Sequence, residues 1–155
     1  IMATRLSTGA RNAMLGEVGL KAALADGKII GFSGSQPSAA DNAEQGTKLI
    51  EFTLDAGAWT AGSATNGLEF AAAAAGVLAK ASGEIWRGLG VAAGTLGWGR
   101  FVGNVSDAGG SSSTLVRVDF TIGVAGSGAD VIVSSVNVTV GKSITVDSFT
   151  VTLPT

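Results

Sequence analysis

The feature that most constrains this chain is the period-two alternation of its last third. Val116, Val118, Phe120 and Ile122 alternate with Arg117, Asp119 and Thr121. A period of two is the mark of a strand with one buried face. Val136, Val138 and Val140 repeat the pattern, followed by Ile144 and Val146, then Phe149, Val151 and Leu153. The parity of the apolar positions switches across Ser134–Ser135 and again across Asp147–Ser148. A strand changes parity only at a bulge, a turn or a crossing to another sheet. Residues 115–153 are therefore expected to form several short strands rather than one long one.

Upstream, Ile30 and Phe32 share one face of a strand over residues 28–33. Ile50, Phe52 and Leu54 alternate with Glu51 and Thr53 in the next strand, over residues 48–54. Residues 68–73 form a weaker strand. Residues 83–91 and 96–102 look like an antiparallel pair anchored by Trp86 and Trp98, with Ala92-Ala93-Gly94-Thr95 as a tight loop. Residues 106–113 are a surface loop, and residues 123–128 turn a further hairpin. The 24 glycines, against only two prolines, suit short strands joined by tight turns. The count is about eight strands, and the expected fold is mainly β: a single β-sandwich of jelly-roll type with one N-terminal helix. At 155 residues a single sandwich domain, residues 28–155, follows an N-terminal arm and helix, residues 1–27.

The helix is expected to begin at Ser7 or Thr8 as N-cap. Ala10, Met14 and Val18 lie four apart, with Leu6 and Leu24 near the same face. Glu17 and Lys21 have the favourable i,i+4 order. Gly16 and Gly19 weaken the helix, and Asp26-Gly27 ends it, with Gly27 suited to a left-handed cap. Such a helix either packs on its own sandwich or docks on a neighbouring subunit. In the second case Arg5 and Arg11, with Leu6 and Met14, are the candidate interface residues.

The chain contains no cysteine, histidine or tyrosine. Disulfides, thiolate or imidazole metal sites and Ser–His or Cys–His nucleophiles are thereby excluded. Twelve acidic residues are scattered singly, and nothing in their spacing selects an acid–base pair. Gly88-Leu89-Gly90 and Gly94 have β-like sequence on both sides, so they are turn and strand glycines rather than a phosphate loop. Residues 126–130 resemble an ion-binding loop only loosely, since Asp130 has no carboxylate near it in sequence. We therefore expect no catalysis, no cofactor and no metal. The net charge is −2 with no basic run, which argues against a nucleic-acid partner. No apolar run approaches the ~20 residues of a membrane helix, and residues 3–12 are too polar for a signal peptide. Trp86 and Trp98 are expected in the core. Trp59, in a Gly/Ala loop, is the candidate exposed aromatic and would be the stacking platform of a carbohydrate-binding module.

Several segments resemble a family of small structural proteins of tailed bacteriophages. They are Thr4-Arg5-Leu6-Ser7-Thr8 with Arg11-Asn12, the block from Lys28-Ile29 through Gly34-Ser35-Gln36-Pro37, and the Ala-rich loop ending at Gly46-Thr47. The strand over residues 49–54, Gly128-Ala129-Asp130, Val140-Gly141-Lys142 and Phe149-Thr150-Val151-Thr152-Leu153-Pro154 complete the set. The resemblance implies a virion protein made in the bacterial cytoplasm, most similar to capsid cement or decoration proteins. The partners it implies are the major capsid protein and further copies of the chain, as dimer or trimer on the capsid surface. A tail or head–tail component, or a receptor-binding module, are the alternatives.

Overall fold

In the computed structural model, residues 4–16 and 18–153 are described. The chain runs through β1 (Arg5–Leu6), α1 (Thr8–Leu15), α2 (Leu20–Leu24), β2 (Lys28–Ser33), β3 (Lys48–Leu54) and β4 (Val77–Ala79). It continues through β5 (Trp86–Gly90), β6 (Gly94–Val102), β7 (Arg117–Gly123), β8 (Val131–Val133), β9 (Asn137–Val138) and β10 (Ser143–Thr152).

The expected sandwich is replaced by a closed barrel of seven strands with three further strands outside it. Around the barrel the order is β2-β3-β5-β10-β8-β7-β6, and β6 pairs with β2 to close the ring. The reason lies in the link between β5 and β6. These two strands, expected as a hairpin, do not pair with each other. Residues 91–93 carry the chain across the barrel mouth, where the N–H of Val91 donates to the carbonyl of Leu49. So β5 joins β3 and β10, whereas β6 joins β2 and β7. The spatial order β6-β2-β3-β5 is that of a Greek key. Alternation identifies a buried face but carries no information about which strand lies alongside.

The two parity switches have different causes. Across Asp147 the pairing of β10 with β8 slips by one residue, so the switch is a bulge within a single ten-residue strand. This corrects the expectation of separate short strands there. Beyond Ser134–Ser135 the chain leaves β8, and only Asn137 and Val138 regain strand geometry against β6. Val140, expected on a buried face, is 74% exposed. The turn after β7 does not make a hairpin: β7 and β8 are parallel, and their overlap is Ile122 with Val131 and Gly123 with Ile132. Asp130 holds this return, its Oδ2 accepting from both the N–H and the hydroxyl of Thr121. Residues 68–73 make isolated bridges only, at Leu68 and Phe70.

The barrel interior is apolar. Trp86 packs among Phe70, Phe101 and Phe149, with ring centroids 5.3 to 6.3 Å apart. Its indole N–H is satisfied by Glu84 at 2.6 Å. Gly99 faces the same interior, where a Cβ would come within 2.7 Å of the Phe120 ring. Trp98 is equally buried but on the outer side of the wall, with Ile30, Phe32 and Val102. It stacks on Phe32 at 4.5 Å and donates to the carbonyl of Gln45, so the 34–47 loop covers it.

The N-terminal segment holds two short helices rather than one. Of the two candidates, Ser7 and Thr8, it is Ser7 that caps α1, its Oγ accepting from the N–H of Ala10. Glu17, and with it the pairing to Lys21, lies outside the described residues, as do residues 1–3 and 154–155. After α2 the left-handed residue is Asp26, with φ 58°, not Gly27. Gly27 is required for another reason: a Cβ there would lie 2.2 Å from the carbonyl oxygen of Val102. Ala10, Leu20 and Leu24 belong to the same core cluster as the barrel interior.

Both buried tryptophans are tested by truncation. Trp86→Ala and Trp98→Ala are each expected to cost about 3–5 kcal/mol in chemical denaturation. An unchanged unfolding midpoint in either variant would show that its cluster does not support the fold.

Candidate functional site

The outer surface of the barrel has two unlike halves. Outside β6 and β7, side chains are held beneath the loops 34–47 and 103–116. Outside β3, β5 and β10, the wall meets solvent.

On the covered half, Arg100 and Asp119 are register partners on β6 and β7, and their side chains are fully buried. Arg100 makes two hydrogen bonds to the carboxylate, at 2.7 and 2.8 Å, and a third to the carbonyl of Asn42. Arg117 grips Asp107 in the same bidentate way, at 2.7 and 2.6 Å, and also the carbonyl of Gly110. Burial pushes the Asp107 carboxyl up. Hydrogen bonds from Arg117 and the Gly109 N–H, with the charges of Arg117 and Arg100, outweigh this and leave it below its ordinary value of 3.8. Glu44, half-buried beside the same arginines, is instead raised by burial. Alternation had assigned Arg117 and Asp119 to a solvent face. The face is correct, but loops rather than water cover it.

The same loops hold the N-terminal segment. Ser7 Oγ donates to the carbonyl of Leu115 and accepts from the N–H groups of Ala10 and Arg117. Thr8 donates its N–H and hydroxyl to the two oxygens of Asp41. Of the candidate interface residues, Arg5 donates to the carbonyl of Pro37 and Arg11 to the hydroxyl of Thr8. Leu6 pairs with Val118 and packs against the core. Only Met14 reaches an open feature. It lines an apolar groove of about 330 Å³ between the helices and the ends of β4 and β10, with Leu20, Lys21, Val77, Val151 and Leu153. Beside it Leu15 is 88% exposed.

On the open half, Trp59 is half-buried at the edge of a second cleft, of about 180 Å³. Its Nε1–H donates to the carbonyl of Asp26 at 2.8 Å, and the Lys28 ammonium sits 4.6 Å from its ring centroid. Glu51, Thr53 and Leu89 line the cleft with it. Burial raises the Glu51 carboxyl, but hydrogen bonds and charge from Lys48 and Lys28 overcome this and hold it below its ordinary value. Sequence reasoning found Trp59 by its loop. It missed Glu51 and Leu89, which a strand pattern alone reads as routine outward positions.

Among the described residues, no group of three or more acidic side chains is placed to hold a metal, and no helix is long and apolar enough to cross a membrane. No family model matches the chain, and comparison with curated proteins and with solved structures found no match.

Two consequences are measurable. Ser7→Ala removes the cap and strands the N–H of Arg117 and the carbonyl of Leu115, so a loss of about 1–3 kcal/mol in unfolding free energy is expected. Asp107 ionises more readily folded than unfolded. Its contribution is therefore present in full well above pH 3.8 and is lost as the pH falls through the lower, folded-state value. Asp107→Asn is expected to cost about 3–5 kcal/mol at neutral pH. The gap between variant and parent should close on acidification, and a gap independent of pH would exclude the ion pair as its cause.

Proposed function

We propose that this chain is a non-enzymatic structural protein of a phage virion, a cement protein that binds and stabilises the major capsid shell. The sequence resemblance motivates the assignment. The observation that carries it furthest is the apolar surface around Met14: a groove walled by Leu20, Val77, Val151 and Leu153, flanked by Leu15 at 88% and Val18 at 45% exposure. Contiguous apolar surface of this kind on a folded domain marks a place where a partner docks. A closed barrel whose covering loops are pinned by two buried ion pairs is a stiff body from which to present it. A clamp needs no chemistry, and many weak contacts repeated over a shell add up to firm attachment.

The test is to purify particles and quantify the chain against the major shell protein. A stoichiometry near that of the shell protein is expected, and its absence from capsids, or its presence on tails alone, would overturn the reading. Leu15→Glu places a charge on the exposed flank of the groove. It should weaken reattachment to stripped capsids at least tenfold while leaving the unfolding midpoint unchanged. Unimpaired reattachment would remove the groove from the contact surface.

A further inference from the structure

We propose that the cleft between Trp59 and Leu89 binds a single neutral pyranose ring, stacked on the Trp59 indole and hydrogen-bonded to Oε2 of Glu51. The strand register builds the cleft. Ile30, Glu51 and Leu89 form one row across β2, β3 and β5, and Thr53 and Arg87 pair in the next row on the same face. Trp59 stands over Lys28, so β3 supplies the floor through Glu51 and Thr53, with the indole on one side and Leu89 on the other.

Each element of this arrangement suits a sugar. The indole is held in place by the bond to Asp26 and the ammonium of Lys28, so little ordering is left to a ligand. Leu89 is 50% exposed on a strand whose inward residues are buried, which adds an apolar surface facing the cleft. Both lysines that bind Glu51, Lys28 and Lys48, do so through Oε1. Among the described residues nothing hydrogen-bonds to Oε2, so Glu51, which lines the cleft, keeps an acceptor for a ligand. Apolar walls with an acceptor between them match a ring that has C–H faces and a hydroxyl edge. The loop that brings Trp59 here is strained: Asp55 and Ala56 sit in succession at φ 50° and 57°. Alanine has no side-chain hydrogen bond to offset that geometry, and such strain collects at binding sites.

The same features exclude other occupants. A volume of about 180 Å³ lies below the range of drug-sized pockets, which limits the ligand to one ring. A peptide cannot add here as an extra strand, since β3 and β5 are each paired on both sides. Glu51 offers an acceptor and no donor, so an oxyanion gains no hydrogen bond from it.

The experiment titrates the full chain with the methyl glycosides of glucose, galactose, mannose and N-acetylglucosamine, and with N-acetylneuraminic acid as an anionic control. The readout is the indole N–H resonance of Trp59, assigned by its loss in Trp59→Phe. A saturable shift with at least one neutral glycoside is expected, weakened at least tenfold by Leu89→Arg, a change at an exposed position that should leave the unfolding midpoint in place. Glu51→Gln should weaken binding as well. Absence of a saturable shift with all four glycosides, a shift that Leu89→Arg leaves intact, or a preference for the anionic sugar would each overturn the proposal. Capsid attachment is measured separately, so either reading can fail without the other.

Discussion

Strand β6 hydrogen-bonds to β2 along one edge and to β7 along the other, and this double pairing turns a twisted sheet into a ring. A closed ring has no free edge to protect and divides every strand into an inside and an outside. The inside is filled by aromatic and branched side chains around Trp86. The outside is then the only place where polar side chains and binding surfaces can stand. Both halves of the outer wall follow from that division.

Closure is thinnest where β7 meets β8. The parallel overlap there is short, and β8 is itself only three residues long. Along the same edge of β7, β1 pairs with Val118 and Asp119 and extends the coverage that β8 does not supply. The N-terminal segment therefore acts as a seal on the seam, with Ala10 and Leu24 reaching the barrel core. Ser7 ties the seal to β7 and to the loop before it, its Oγ accepting from the Arg117 N–H and donating to the Leu115 carbonyl.

The covered half of the wall sets a different physical problem. Loops laid over a sheet must satisfy their own backbone groups, and here two buried arginines each bind one loop carbonyl. Arg100 and Arg117 each neutralise a carboxylate and also reach a loop carbonyl, of Asn42 and of Gly110. Buried ion pairs are weak sources of net stability, because desolvation cancels much of the attraction. Their directional bonds do specify where the loops lie. Nη1 of each guanidinium is buried with no hydrogen-bond partner among the described residues.

The amino-acid sequence by itself determined the β class, the inward residues of most strands, a helix cap at Ser7 or Thr8 and the burial of Trp86 and Trp98. These follow from alternation, side-chain size and local hydrogen bonding, which are properties of neighbouring residues. Only the tertiary structure decided that the sheet closes, because strand partnership is set by a link crossing the barrel mouth, and alternation is the same in a sandwich and a barrel. It alone placed Trp98, Arg100, Arg117 and Asp119 beneath loops, since an outward residue reads alike whether water or another segment covers it. It alone brought Glu51 and Leu89 to Trp59. Their proximity comes from strand register and from the loop after β3, and no local pattern in the chain encodes either one.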